Sequence, residues 1–264
     1  MTKFLMCKPE FYGVNYVINP WMSGNINNVD YDLAMQQWNT LYDTISKFAE
    51  VELITPIEGL PDMVFTANAG AFFNGRFFVS NFKHEERKGE EKYFKKWAED
   101  KGYGVIKPIY HFEGAGDFLY SGISKVHFMG FYKRTQFDAM KELLVGATDM
   151  IYPLKLVTQQ FYHLDTCFCP LNKNVVMMYR AAIDYDSWSY IDFLYEGRVI
   201  NVSKEDADLF ACNAVNIGDE VILPMGISDN LRSKLQSYGY NVHEVQLSEF
   251  IKAGGAAKCL TLQI

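Results

Sequence analysis

A pattern of turn residues followed by a short apolar run recurs four times along the chain. The apolar runs align at Phe77, Val126, Val175 and Val221, at intervals of 49, 49 and 46 residues. A nearly constant spacing of this length is typical of a repeated supersecondary unit. Each run follows turn residues such as the Asn-Gly pair at 74–75, which predicts the second arm of a β-hairpin. The chain is therefore expected to fold as a series of similar units.

A helix-like stretch follows each apolar run, and a further apolar strand follows each helix. The predicted helices, each ending in a glycine, cover 84–102, 135–146, 186–197 and 228–239. The predicted strands after them cover 104–110, 150–157, 198–203 and 241–247. Upstream, a helix over 30–49 leads into a strand at 51–57 in the same order. Five strands are therefore expected, each opening one unit.

The series continues without a Pro/Ser-rich linker or a low-complexity tract, which favours one α/β domain over residues 1–264. Units that cannot bury their own apolar faces singly stack around an axis. We therefore predict a five-unit β/α propeller with pseudo-fivefold symmetry. The strand near "KFLMC" at 3–7 is expected to help close the ring.

Composition excludes several classes of function. Nearly half of the 264 residues are hydrophobic (49%), which is enough to bury a substantial core. The net charge of −7, without any block of Lys or Arg, disfavours nucleic acid as a partner. No stretch approaches the roughly 20 apolar residues that cross a bilayer, and the start of the chain lacks the apolar core of a signal peptide. We expect a cytoplasmic protein without a membrane partner.

The five cysteines form an odd, scattered set, which does not resemble a disulfide framework. A reducing compartment fits this set best. Cys167 and Cys169 are the only close pair, and no second pair accompanies them. No metal site is therefore expected.

Polar side chains follow four of the unit-opening strands, in loops that a ring-shaped repeat brings to one end of its axis. A thiol and an imidazole gathered there can act as nucleophile and as proton donor or acceptor. Nearby carboxylates raise the pKa of a thiol unless the substrate brings a positive charge. This favours a planar cationic electrophile such as guanidinium, bound by bidentate acceptors. The residues expected to converge are Asp62, Asn68, Glu113, Asp117, His163, Asp165 and Cys259.

Each of these residues also has a purely structural interpretation. A lone cysteine such as Cys259 is most often a buried apolar side chain, but the preceding Gly254-Gly255 pair and its place in the repeat favour a nucleophile. His163 and Asp165 are two residues apart in a strand-like segment, which predicts that they share one face.

Two aspartates have a strong structural alternative. Asp117 is expected to be half structural, since aspartate side chains bind turn amides. Asp62, which follows Pro61, is better explained as a turn residue.

Six short motifs follow one another along nearly the whole chain: "INPWM" at 18–22, "PDMVFTANAG" at 61–70, "FEGAGD" at 112–117, "YKRT" at 132–135, "HLDT" at 163–166 and "GGAAKCLT" at 254–261. Each motif is weak alone, but the ordered set is specific. The set resembles the guanidino-group-modifying (pentein) superfamily. This superfamily includes arginine deiminases, dimethylargininases, amidinotransferases and arginine dihydrolases.

The resemblance implies a pentein fold and a covalent mechanism without a metal or organic cofactor. It places the nucleophile at Cys259, the general acid/base at His163, and the guanidinium-binding carboxylates at Glu113 and Asp165. It implies that the thiol attacks the guanidinium carbon and that His163 protonates the departing amine. An amidino-thioether intermediate is then hydrolysed by a water that His163 activates.

Asn68 departs from the deiminases and dimethylargininases, in which an aspartate normally stands at this position. An amide both donates and accepts, so Asn68 suits a site that holds arginine and then a citrulline-like ureido group. This resembles the arginine dihydrolase branch, which also carries an asparagine matching Asn19.

The amino-acid end of the substrate needs cationic partners, which the resemblance places at Arg87 and Arg134. A solvated helix charge explains Arg87 equally well, and Arg134 is the better candidate. Phe65 is expected to cover the aliphatic part of the substrate, although core packing explains it equally.

The leading hypothesis is an arginine dihydrolase that converts arginine to ornithine, ammonia and carbon dioxide. Arginine deiminase and dimethylargininase are the alternatives within the superfamily, and amidinotransferase is less favoured because those chains are generally longer. A non-catalytic arginine-binding protein is the alternative from another class. The partner is thus a small molecule, arginine or a derivative, and a homo-oligomer remains open.

Overall fold

A computed structural model describes residues 2–264 of the chain. The helices are α1 (Tyr31–Ser46), α2 (Glu85–Lys88), α3 (Glu91–Asp100), α4 (Ala139–Leu143), α5 (Tyr185–Leu194), α6 (Lys204–Asp208), α7 (Asp229–Ser237) and α8 (Ser248–Ile251). The strands are β1 (Lys3–Cys7), β2 (Glu50–Ile54), β3 (Gly70–Phe73), β4 (Arg76–Val79), β5 (Gly104–Ile106), β6 (Phe118–Tyr120), β7 (Val126–Phe131), β8 (Met150–Lys155), β9 (Phe168–Pro170), β10 (Val176–Met178), β11 (Val199–Asn201), β12 (Val215–Ile217), β13 (Glu220–Pro224), β14 (Asn241–Val245) and β15 (Leu262–Gln263).

The strands form five sheets of three strands each. Every sheet contains an antiparallel hairpin and one parallel strand, in the orders β3-β4-β5, β6-β7-β8, β9-β10-β11, β12-β13-β14 and β15-β1-β2. The same strand arrangement therefore occurs five times. This confirms the pseudo-fivefold α/β propeller.

The grouping of strands within a unit differs from the expected one. β5 pairs in parallel with β4, the hairpin arm that precedes it, in the register Arg76↔Gly104. Helices α2 and α3 form the crossover that returns the chain to the starting end of the sheet, as parallel pairing requires. Each of these strands therefore completes the preceding sheet rather than opening the next unit.

The two ends of the chain close the ring together. β1 lies between β15, with which it pairs antiparallel at Phe4↔Gln263, and β2, with which it pairs parallel at Lys3↔Glu50. The fifth hairpin thus takes its first arm from the end of the chain and its second arm from the beginning. The predicted role of the 3–7 strand is confirmed.

Several elements are shorter than predicted. The helix expected over 84–102 is interrupted at Gly89–Glu90, where Arg87 turns inward to bind the Glu90 carboxylate. The strand expected over 104–110 ends at Ile106, and the carbonyls of residues 108–110 instead accept hydrogen bonds from the Asn81 side chain. The helix expected over 135–146 covers only Ala139–Leu143.

The apolar side chains form four buried clusters, and all five cysteines are free and buried. One cluster brings Phe65, Phe250 and Cys259 together with Met22 from the segment after β1. Within residues 2–264, no helix is long and apolar enough to span a membrane. The packing therefore places the terminal cysteine inside the protein.

Candidate active site

The loops that lead into the first strands of the hairpins meet at one end of the propeller axis. They surround a small cavity of about 10 Å³, which has room for about one water molecule. Residues from both halves of the chain line the cavity. Its lining includes Asn19, Asp62, Phe65, Asn68, Arg87, Arg134, Tyr162 and Cys259.

Cys259 lies in the turn between α8 and β15 and is 2% exposed. Its Sγ donates to Asp165 Oδ2 at 3.3 Å and accepts from Asn213 Nδ2 at 3.1 Å. Asn213 Oδ1 in turn accepts from the backbone amides of Cys259 (3.0 Å) and Ala256 (3.1 Å). Asn213 therefore fixes both the thiol and the loop that carries it.

Sequence reasoning missed Asn213. It lies between α6 and β12, whereas the residues expected to converge came from the four other connections. Asn213 precedes Cys259 by 46 residues, which is the repeat spacing of the last two units. Applying the repeat to this loop as well would have found it.

Burial raises the pKa of the Cys259 thiol well above its usual range, and the adjacent Asp165 charge adds to the effect. The thiol is therefore neutral at physiological pH in the free protein. A cation bound beside Asp165 would offset that charge and favour the thiolate. The electrostatics agree with the expectation that a cationic substrate activates this cysteine.

Asp165 lies in a 3-10 turn, Leu164–Thr166, and not in the expected strand-like segment. The strand geometry that predicted a shared face with His163 is therefore absent, and His163 is the extended residue that precedes this turn. Burial raises the pKa of Asp165 to about 7, although the charge of Lys258 opposes the shift. The Oδ1 atom of Asp165 is buried without a hydrogen-bond partner.

Glu113 is fully buried and both of its carboxylate oxygens are in use. Oε2 lies 2.7 Å from His163 Nε2 and 2.8 Å from Arg134 Nη1, and Oε1 accepts from the Lys83 amide at 3.1 Å. Burial raises the pKa of Glu113, but Arg134 and His163 outweigh it, so the net pKa lies well below its usual range. This geometry favours orienting His163 over the guanidinium contact that the family resemblance implied for Glu113.

The ionised Glu113 also determines the tautomer of His163. A carboxylate only accepts hydrogen bonds, so Nε2 of His163 must carry the proton that it shares with Glu113. Nδ1 is then the basic nitrogen of the neutral ring, and it is buried without a partner. His163 is thus prepared to accept a proton at Nδ1.

Arg87 is 3% exposed, which rules out the solvated helix charge. Its guanidinium binds Glu90 through two hydrogen bonds of 2.8 Å each and donates to Asn68 Oδ1 at 2.8 Å. Asn68 Nδ2 donates to the Glu113 carbonyl at 3.2 Å. The orientation of the Asn68 amide is therefore fixed from both sides.

Asp62 contributes more to the site than the expected turn role. It does lie in a 3-10 turn, Pro61–Val64, but its side chain is buried and lines the cavity. Oδ2 accepts from the Tyr16 hydroxyl at 2.9 Å, whereas Oδ1 has no partner. Burial raises the pKa of Asp62 despite the nearby Arg87 charge.

The remaining predicted residues divide into two groups. Asp117 uses both oxygens for structure, because it accepts from Thr135 Oγ1 at 2.7 Å and from the Leu164 amide at 2.9 Å. Asn19 caps the 3-10 turn Pro20–Met22 and donates to the Ala253 carbonyl at 2.9 Å. Phe65 and Arg134 reach the cavity directly, with Arg134 stacked 4.6 Å above the Tyr162 ring.

Comparison with known proteins identifies relatives over the whole fold. The family model described as eukaryotic N,N dimethylarginine dimethylhydrolase matches residues 15–264. The bifunctional arginine dihydrolase/ornithine cyclodeaminase ArgZ of Synechocystis sp. is 44% identical over 99% of this chain. The chain spans only 37% of the length of ArgZ. The N(G),N(G)-dimethylarginine dimethylaminohydrolase of Mycobacterium tuberculosis is 35% identical over 99% of this chain and 85% of that protein.

Solved structures of arginine dihydrolases and of a dimethylarginine dimethylaminohydrolase are also similar to this chain. The N-terminal domain of ArgZ, in a cysteine-to-serine variant bound to substrate, has a TM-score of 0.97 at 42% identity and covers 100% of this chain and 98% of that one. An asparagine-to-serine variant of the same domain, covalently bound to a reaction intermediate, also has a TM-score of 0.97. A dimethylarginine dimethylaminohydrolase at 20% identity and TM-score 0.84 shares the fold.

Proposed function

Because the chain belongs to the N,N dimethylarginine dimethylhydrolase family, we propose that it is a cysteine-dependent hydrolase of the arginine guanidino group, specifically an arginine dihydrolase. The products are ornithine, ammonia and carbon dioxide. The 44% identity to both ArgZ and AgrE, each named as an arginine dihydrolase, supports this choice. Asn68 supports it as well, because its Nδ2 keeps a second N–H beside the bond to the Glu113 carbonyl, and this donor can bind a citrulline-like ureido oxygen.

One observation carries the proposal. Three polar atoms of the predicted site residues are buried without hydrogen-bond partners: Asp62 Oδ1, His163 Nδ1 and Asp165 Oδ1. Buried polar groups are rarely left unpaired, and each unpaired one costs about 1–3 kcal/mol. Two carboxylate oxygens and one basic nitrogen complement a planar cation that presents several N–H donors. Guanidinium is such a cation.

In the first step, the bound guanidinium offsets the Asp165 charge and lowers the pKa of Cys259. The thiolate forms a bond to the guanidinium carbon, and the carbon then releases one amine. His163 Nδ1 takes the proton that the thiol releases and then gives it to this amine, which leaves as ammonia. The product of the step is an amidino-thioether on Cys259.

In the second step, His163 takes a proton from water at Nδ1, and the resulting hydroxide attacks the amidino carbon. The carbon–sulfur bond breaks and citrulline remains in the site. A second attack by Cys259 and a second hydrolysis release another ammonia and leave a carbamate, which yields ornithine and carbon dioxide. Two water molecules are consumed and two molecules of ammonia are released for each arginine.

The other residues have supporting roles in this scheme. Glu113 orients His163, Asp62 and Asp165 accept from the guanidinium, and Asn213 positions the thiol. For the amino-acid end, Arg134 can exchange its hydrogen bond to the Ile18 carbonyl, 2.9 Å long, for the substrate carboxylate. Since the cavity has room for only about one water molecule, arginine must displace lining side chains as it enters.

Product analysis tests the proposal. The purified chain is incubated with arginine, and ornithine, citrulline and ammonia are quantified over time. We expect ornithine with two equivalents of ammonia. Citrulline that accumulates without ornithine would replace the dihydrolase with a deiminase. The Cys259→Ser variant should bind arginine without turnover, and any turnover by it would contradict covalent catalysis.

Dimethylargininase is the second candidate, because the family model and the 35% identical M. tuberculosis relative carry that name. Release of dimethylamine from N,N-dimethylarginine faster than ornithine from arginine would favour it.

The free, buried cysteines support a reducing compartment such as the cytoplasm.

A further inference from the structure

A second and much larger cavity, of about 520 Å³, lies on the propeller axis on the other side of the Cys259 loop. The first arm of every hairpin contributes to its wall, from Ala71 of β3 to Leu262 of β15. These arms are the edge strands of their sheets, so the cavity follows the pseudo-fivefold axis. None of its lining residues lines the small cavity around Cys259.

Within residues 2–264, Lys258 is the only lysine or arginine that lines this axial cavity, and it is half-buried. It directly precedes Cys259 in the chain, and its side chain lines the axial cavity whereas Cys259 lines the small one. The one hydrogen bond that the Lys258 ammonium donates within the described chain is long, at 3.5 Å to the Thr261 carbonyl. Burial lowers the pKa of Lys258, because the ammonium has lost much of its hydration. The ammonium forms no ion pair within the described chain, although the charge of Asp165 partly opposes this fall in pKa.

Asp165 does not act as a direct partner of this ammonium. It lines the same cavity, but its Oδ2 accepts from the Cys259 thiol and its Oδ1 is closed off from solvent. In the part of the chain that the structure describes, no ion pair holds Lys258. A buried ammonium gains most from a charged acceptor that it can bind directly.

The walls of the axial cavity are largely apolar near Lys258. Phe118 and Phe168 are buried aromatic side chains from two different sheets, and Leu262 is buried on a third. The opposite end carries exposed residues, among them Tyr120 (55% exposed) and Gln263. The cavity thus has a polar mouth, an apolar middle section and the Lys258 ammonium at its inner end. Volumes of roughly 300–1,000 Å³ with this lining are typical of small-molecule sites.

We propose that the axial cavity is a second ligand site, adjoining the catalytic one at Asp165, that binds a small organic carboxylate. The carboxylate pairs with the Lys258 ammonium, and the apolar body packs between Phe118, Phe168 and Leu262. The pairing offsets the cost of burying Lys258, and the packing removes apolar surface from water. The proposal goes beyond the catalytic function and does not depend on it, since binding can be measured without turnover.

Calorimetric titration with benzoate tests the proposal, with benzamide as its neutral isostere. We expect benzoate to bind at least about tenfold more tightly than benzamide, which corresponds to about 1.4 kcal/mol. Lys258→Met should abolish this preference. Lys47→Met removes the same charge from an exposed site outside the cavity and should retain it. Equal binding of the two probes by the wild-type chain would overturn the proposal.

Two further measurements locate the binding. Gln263→Trp narrows the mouth at an exposed position, so it should weaken benzoate binding without disturbing the core. Saturating arginine, added to the Cys259→Ser variant, should not displace benzoate, because no residue that lines the small cavity also lines the axial one. Unchanged binding in both Gln263→Trp and Lys258→Met, or displacement of benzoate by arginine, would refute an axial site.

Discussion

Asn213 binds the nucleophile and its loop through both ends of one amide group. Its Nδ2 reaches the Cys259 sulfur and the Asp165 carbonyl, and its Oδ1 receives two backbone amides. It is fully buried, so water cannot replace these contacts. At the scale of single residues, the reactive geometry thus depends on a side chain that does no chemistry itself.

Asn213→Ala should lower both stability and turnover. The loss of four buried hydrogen bonds is expected to cost about 2–4 kcal/mol in unfolding free energy, measured by urea titration. The turnover rate should fall more than the affinity for arginine, because the thiol loses its position. Asn216→Ala removes one hydrogen bond, to the Leu171 carbonyl, and is the milder control. Equal turnover in both variants would contradict the assignment.

Asn68→Asp tests the second hydrolysis. A carboxylate at this position can only accept, so it holds the ureido oxygen of citrulline poorly. We expect the ratio of citrulline to ornithine to rise in an amino-acid analysis of the products. The exposed Asn28→Asp change should leave the ratio unaltered. An unchanged ornithine yield in Asn68→Asp would mean that the dihydrolase activity depends on another residue.

Asp165→Asn should stabilise the free protein at high pH while abolishing turnover. Folding raises the pKa of Asp165 from 3.8 to about 7, so between these values the folded chain retains a proton that the unfolded chain releases. Stability due to Asp165 is therefore present below about pH 4 and is lost as pH rises towards 7. An asparagine has no such dependence. The stability gain of the variant should increase by about 1–3 kcal/mol between about pH 5 and 8.

Chemical unfolding of both proteins at the two pH values measures this difference. A gain that is the same at both values, or that shrinks with pH, would show that Asp165 is ionised throughout.

At the scale of elements, the site is built from short 3-10 turns that lead into the inner strands. Thr66–Ala69 carries Asn68, Gly114–Gly116 follows Glu113, and Leu164–Thr166 carries Asp165. These turns pack directly on one another. At Gly116, a Cβ would lie 2.3 Å from Asn68 Nδ2 and 3.3 Å from His163 Nδ1.

Gly116→Ala should therefore displace the Asn68 amide and crowd His163. We expect at least about a tenfold loss in kcat/KM, equivalent to about 1.4 kcal/mol in the activation free energy. Gly104→Ala is a matched control, because a Cβ there meets its nearest atom at an ordinary 3.9 Å. Steady-state kinetics on both variants measure kcat/KM. Wild-type activity in Gly116→Ala would refute the close packing of Gly116 against Asn68 and His163.

At the scale of the whole molecule, the fold depends on the pairing of its two ends. β1 connects β15, which begins three residues after Cys259, to β2. Thr66 Oγ1 also donates to the Leu5 carbonyl at 2.9 Å, which links the same strand to the turn that carries Asn68. These contacts support our proposal that residues 1–264 fold as one domain.

Leu5→Ala should thus lower both stability and activity. Truncation of this fully buried side chain is expected to cost about 2–5 kcal/mol. Leu231→Ala in α7 should cost a similar amount but leave the kinetics of the folded fraction unchanged. Urea unfolding and activity below the transition separate the two effects. Equal kinetics in both variants would mean that ring closure does not support the site.

The repeat could be recognised in the sequence alone. Turn residues and apolar alternation are local signals, so spacing alone predicted the propeller and the closing strand at 3–7. The equivalent positions of their loops within the repeat predicted that Asn68, His163 and Cys259 converge. Their roles in catalysis remain proposals.

Only the tertiary structure decided how these loops meet. The contacts that build the site join residues far apart in the chain. They include the parallel strand pairs, the hydrogen bonds of Arg87 to Asn68 and of His163 to Glu113, and the contacts of Asn213 and Asp62. Such contacts depend on distances that exist only once the ring closes. A repeated local pattern determines which units form, whereas buried polar groups take whatever partners the closed ring brings within reach.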